Sequence, residues 1–175
     1  FMWNFSGKQN DVQGHGGKLD GNWKTGINFI DNYLLGLGPQ KKLPNHLKDN
    51  AGHNKYFLLP FLLGLFGMFF HVTKRKKDFW AIFLLFFFTG IAIVIQLNQT
   101  PYQPRERDYA YVGSFFAYAI WAGIGTLGVF QLIRKTILHN IKSQSVNDYL
   151  KTICIGVSIF LLGIPTLMAY QNWDD

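Results

Sequence analysis

The sequence predicts an all-α integral membrane protein. Four transmembrane helices fall within residues 56–173, after a polar external segment at 1–55 and before the start of an external region at 174–175. Three observations carry this prediction. Hydrophobic residues make up 49% of the chain and aromatics 17%. They are bunched into long runs instead of recurring at an amphipathic period. The runs 56–72, 79–97, 109–133 and 152–173 hold no Asp, Glu, Lys or Arg. At 1.5 Å per residue each reaches roughly 25 Å or more, close to a hydrocarbon core of about 30 Å. In 175 residues, little chain remains to bury four such helices in a soluble core.

Phe1–Phe5 (FMWNF) is apolar from its first residue and lacks the basic flank and cleavage site of a signal peptide. It reads as the tail of an earlier helix. Asp174-Asp175 follows the last span directly, so the natural chain is expected to continue in both directions. Residues 1–55 form a polar, Gly-rich segment, as in SGKQNDVQGHGGKLDGNW. Within GINFIDNYLLGLG, Ile27, Ile30, Tyr33, Leu34 and Leu37 recur at helical spacing, and Gly38-Pro39 supplies a stop. That pattern predicts a short helix lying on or dipping into the membrane interface.

Pro60 and Pro165 fall inside spans, where proline kinks a helix. Gly113/Ala117 and Ala119/Gly123 are small-xxx-small pairs, and Gly64, Gly67, Gly90, Gly156 and Gly163 add further flat surface. All read as helix-packing positions.

The connections set the orientation. Lys74, Arg75, Lys76 and Lys77 separate the first two runs. Arg134, Lys135, Lys142 and Lys151 separate the last two, against the single acid Asp148. The positive-inside rule assigns both to the cytoplasm. Residues 1–55, the connection 98–110 and the C-terminal QNWDD then share the opposite face. The formal charge of +7 is accounted for by lysines and arginines outside the spans, facing anionic lipid headgroups. No basic stripe interleaved with aromatics argues for nucleic acid. Cys154 is the only cysteine and lies within a span, so it reads as a small packing residue.

Two polar stretches could carry chemistry. In NQTPYQPRERDYAY the prolines Pro101 and Pro104 force an extended path, and Asp108 suits the start of the next helix. Arg105 and Arg107 sit at headgroup depth, where a guanidinium fork matches phosphate oxygens. One reading is a clamp for a lipid-linked phosphate. The other is a self-neutralised network of Arg105, Glu106, Arg107 and Asp108 with interfacial tyrosines such as Tyr102, and spacing alone favours it.

Residues 7–21 gather Lys8, Gln9, Asn10, Asp11, His15 and Asp20 among glycines, which suits a sugar or its phosphate, although the residues alone favour an ordinary surface loop. No His or Cys stands at ligand spacing from His15, so no metal site is expected. His46 and His53 read as interfacial. The spans carry no ionisable acid or base of the kind pumps need at mid-depth, other than histidine near a span end.

The blocks FMWNFSGKQNDVQGHGG, NQTPYQPRERDYAYVGSFFAYAIW and AYQNWDD resemble consecutive segments of a bacterial multi-pass family. That family, formerly a domain of unknown function, is grouped with protein O-mannosyltransferase-like enzymes (glycosyltransferase family 117). The resemblance covers nearly the whole chain, and residues 98–118 are its most specific part. It implies the last transmembrane portion of a GT-C-type glycosyltransferase in the bacterial inner membrane.

Such an enzyme moves a mannose-like sugar from a polyprenyl-phosphate carrier to Ser or Thr of an exported protein on the periplasmic face, without a cofactor. The implied donor-binding residues are Tyr102, Arg105, Glu106, Arg107 and Asp108, with Lys8, Asn10, Asp11, His15, Asp174 and Asp175. The catalytic carboxylate is implied upstream of Phe1. With the resemblance weighed in, the clamp reading of the arginines gains over the self-neutralised one. A structural or accessory subunit of an inner-membrane or export assembly is the alternative.

Overall fold

A computed structural model describes residues 1–12, 17–40, 43–98, 108–140 and 146–172. Its regular elements are all helical. The short turns α1 (Met2–Phe5) and α2 (Asn45–Lys48) belong to the N-terminal segment. The long elements are α3 (Leu59–Lys74), α4 (Lys76–Phe86), α5 (Ala92–Leu97), α6 (Val112–Asn140) and α7 (Val146–Gln171). A π turn at Phe87–Ile91 joins α4 to α5, and the rod runs from Lys76 to Leu97.

Among the described residues, three helices are long and apolar enough to cross a membrane: Lys76–Leu97, Tyr109–Thr136 and Thr152–Gln171. The first predicted span is shorter. Phe57 and Leu58 adopt left-handed backbone angles (φ 53° and 60°), so α3 begins only at Leu59 and holds 16 residues. Pro60 lies in its first turn, where a missing N–H leaves no intrahelical bond unmade. It starts the helix instead of kinking it as predicted. Pro165 does lie inside α7.

The helices alternate in direction. Tyr118 of α6 donates its hydroxyl to the Phe61 carbonyl of α3 at 2.6 Å, and Gly128 of α6 meets Phe66 and Phe70 further along. Contacts that advance together along both chains make α3 and α6 parallel. Phe79 stacks on Trp121, while Gly90 meets Ser114, so the α4–α5 rod runs antiparallel to α6. α7 also returns, and its end reaches residues 54–56.

Aromatic packing fills the centre. Phe5, Phe79, Tyr118 and Trp121 are buried together, with Phe61, Met68, Val72 and Phe86 around them. Phe1 and Phe5 both set their rings against Tyr118, at 4.9 and 4.7 Å.

Glycine permits the closest approach. A side chain at Gly67 would run into the Trp121 carbonyl and the Gly125 nitrogen, so α3 and α6 touch through backbone there. Gly64, Gly90 and Gly113 also face neighbouring side chains closely, as predicted. Gly123, Gly156 and Gly163 meet nothing within 4 Å and are not packing positions among the described residues.

Candidate functional site

The N-terminal segment folds into a polar cap laced through its backbone. Lys8 and Asn54 exchange N–H···O bonds of 3.3 and 3.1 Å, Gln9 N–H donates to the Asn22 carbonyl at 2.8 Å, and Lys24 N–H donates to Gly7 at 3.0 Å. Residues 6–9 therefore lie between two other stretches of chain. Gly7 makes this crossing possible. Its φ of 135° is open to glycine, and a Cβ there would sit 2.8 Å from the Lys24 carbonyl and 2.9 Å from that of Asn54.

Amide side chains complete the cap. Gln9 is fully buried, donating to the Lys18 carbonyl and Gln40 while accepting from Asn22. Asn10 is also fully buried. Its Oδ1 accepts from the Val12 and Gly21 amides, and its Nδ2 donates to the Leu19 carbonyl. Asn10 is thus committed to holding its own loop and offers little to a ligand. Lys8 pairs with Asp11 and lies 5.2 Å from the Trp3 ring centre.

The remaining residues expected at the site are placed only in part. Asp108 opens a 3-10 turn, Asp108–Tyr111, that leads into α6. His15, Tyr102, Arg105, Glu106, Arg107, Asp174 and Asp175 lie outside the described residues.

A lysine–histidine pair that the sequence did not single out sits in the cap. Lys24 is buried, and its Nζ lies 3.1 Å from Nε2 of His53. His53 Nδ1 lies 2.9 Å from the Gln9 carbonyl, which can only accept. Nδ1 therefore carries the proton, and Nε2 accepts from Lys24. Burial and the nearby Lys55 charge lower the Lys24 pKa to about 8, partly offset by Asp31. Burial also pushes His53 below its ordinary value, aided by Lys24 and Lys55 and opposed by the bond to Gln9. His53 is thus a structural member of the cap. Among the described residues no group of three His, Cys, Asp or Glu could hold a metal ion.

α7 ends against this cap. Gln171 Oε1 accepts from the Lys55 amide at 3.1 Å, and Asn172 Nδ2 donates to the Tyr56 hydroxyl at 2.6 Å. Asn54 Nδ2 donates to Asn172 Oδ1 at 3.3 Å. Because the helices alternate, the ends that flank 99–107, Asn98 and Asp108, lie at this same end of the bundle.

Beside the latch an apolar groove of about 750 Å3 runs between α3, α6 and α7. Pro60 and Met168 line it nearest the cap, while Phe130 and Ser158 lie deepest. From Ala119 to Phe130 the α6 wall extends roughly 16 Å at 1.5 Å per residue. Thr126 and Ser158 donate their hydroxyls to their own helices, at Gly123 and Cys154, which leaves the wall apolar. Ala119 and Gly123, predicted as helix-packing residues, line this groove instead.

No known protein family, curated protein or solved structure matches this chain.

Proposed function

We propose that the chain is the membrane portion of a GT-C-type glycosyltransferase that takes a sugar from a polyprenyl-phosphate carrier. In this reading α3 completes a fourth crossing, and the cap faces the periplasm from the bacterial inner membrane. The observation that carries it is the latch of Asn172 and Gln171 onto residues 54–56. It holds the C-terminal end of α7 on the cap, at the end of the bundle where the ends flanking 99–107 also lie, beside the mouth of an apolar groove.

A lipid-linked sugar phosphate is divided in the same way, with a polar head above a long apolar chain. The groove suits the chain, and Arg105 and Arg107 suit the phosphate. In the transfer, a Ser or Thr oxygen bonds to the sugar's anomeric carbon as the bond to the carrier phosphate breaks. The hydroxyl proton passes to a carboxylate, and the arginines stabilise the phosphate that leaves.

The test is glycosylation of exported proteins in cells carrying the full-length enzyme with Arg105→Ala, Arg107→Ala or Gly123→Leu. The reading expects all three to insert normally and to lose most transfer, the last by filling the groove. Unchanged glycan in both arginine variants removes the clamp.

A second reading, a docking subunit of an inner-membrane or export assembly, is favoured by Gly156 and Gly163. They stand seven residues apart on α7 with open space before them, as a partner helix requires. Copurification of other membrane proteins, lost on Gly156→Leu and Gly163→Leu, together with no transferase activity, would support it.

A further inference from the structure

Residues 27–34 present an apolar face that the cap does not cover. Phe29, Tyr33 and Leu34 are 66%, 79% and 72% exposed, and the Phe29 and Tyr33 rings lie 5.4 Å apart. Single exposed hydrophobic residues are ordinary on a protein surface, but adjoining aromatic ones mark a contact.

Two features show that this face is built and is not loose chain. The first is its fastening. Asp31, on a π turn at Ile30–Leu34 within this face, points inward and is 3% exposed. Its carboxylate accepts from Thr25 N–H at 2.8 Å, Thr25 Oγ1 at 2.8 Å and Gly26 N–H at 2.9 Å. The turn cannot roll its aromatic face inward without stripping a buried carboxylate of these bonds. The second is its charge. Asp31 is the only charged residue from Gly26 to Gln40, and it faces away from the exposed side.

The location says what the face meets. A Cβ on Gly26 would lie 3.2 Å from Lys55 Cβ and 3.3 Å from the Phe57 ring, so the turn leaves the cap where α3 begins. Exposed Phe57, Leu59 and Leu62 continue the apolar surface along α3. The face therefore adjoins the surface that the bundle offers to lipid. Its five-residue π turn is far too short to span. Its Tyr settles at headgroup depth with an apolar body and a polar tip, and its Phe and Leu suit the apolar region just below.

We propose that residues 27–34 are an interfacial anchor: Phe29, Tyr33 and Leu34 insert among the headgroups and upper acyl chains of the leaflet on the cap side, and so fix the height of the cap above the bilayer. This does not depend on the transferase reading.

Nitroxide labelling tests it. The full chain with Cys154→Ser carries a single label through Tyr33→Cys, Leu34→Cys or, as a control on the cap, Leu19→Cys, which is also exposed. It is reconstituted into vesicles of phosphatidylcholine and phosphatidylglycerol. The anchor predicts that labels at 33 and 34 collide several-fold more with oxygen, relative to an aqueous nickel chelate, than the label at 19. Equal access of the nickel chelate to all three positions overturns it. So does shielding of 33 and 34 from both reagents, which would mean that protein and not lipid covers the face.

Discussion

Asn172, immediately beyond α7, donates its Nδ2 to the hydroxyl of Tyr56 at 2.6 Å, and Tyr56 is buried at the entry to α3. The two residues sit at opposite ends of the bundle's sequence, and their bond ties the last helix to the first segment. A typical intramolecular hydrogen bond contributes about 1 kcal/mol net. Tyr56→Phe keeps the packed ring and should cost about that much in thermal unfolding in detergent. Asn172→Ala should cost more, since it also loses the bond from Asn54. A double-mutant cycle should show clear coupling between positions 56 and 172. Purely additive losses would mean the bond does not form.

Helix contact through glycine makes a sharper contrast. Gly67→Ala puts a methyl group into the Trp121 carbonyl and the Gly125 nitrogen, which can yield only by parting α3 from α6. The expected cost is about 2 kcal/mol or more, the upper part of the overpacking range. Gly163→Ala meets nothing within 4 Å and should leave the unfolding temperature unchanged or slightly raised. Equal responses at the two positions would contradict the α3–α6 contact.

The Lys24–His53 pair makes stability depend on pH in a defined sense. Between about 8 and the ordinary lysine value of 10.5, the unfolded chain holds a proton on residue 24 that the folded chain has released. Stability should therefore rise with pH across that window. As pH falls below 6.5, the unfolded chain protonates residue 53 while the folded chain resists, so stability should fall. Lys24→Met should flatten the upper rise and His53→Gln the lower fall. Thermal unfolding from pH 5 to 10 reads both. An unaltered upper slope in Lys24→Met would place the titrating group elsewhere.

Much of the bundle is written plainly in the sequence because charge-free runs of this length have few other fates. Gly64, Gly67 and Gly90 are readable as contacts because glycine inside an apolar run offers a flat surface, but the same reading fails at Gly156 and Gly163. The cap was not readable, because its bonds join residues far apart. Nothing local marks Lys24 for His53, or Asn54 for Asn172, and Asn10 looks like a ligand-binding residue until its bonds to Leu19 and Gly21 are seen. The late start of α3 is not readable for a related reason. Phe57 and Leu58 are helix-compatible by composition, yet their backbone takes left-handed angles where the chain leaves the cap beside Gly26.

The shared end of the polar segments is tested most directly by labelling from one side. In a Cys154→Ser background, Leu19→Cys, Asn98→Cys, Asn172→Cys and Lys76→Cys are each exposed to a membrane-impermeant maleimide in intact spheroplasts. The orientation proposed above predicts reaction at 19, 98 and 172, and at 76 only after the membrane is opened. Reaction of 19 and 172 from opposite sides would break the latch and, with it, the site proposed above it.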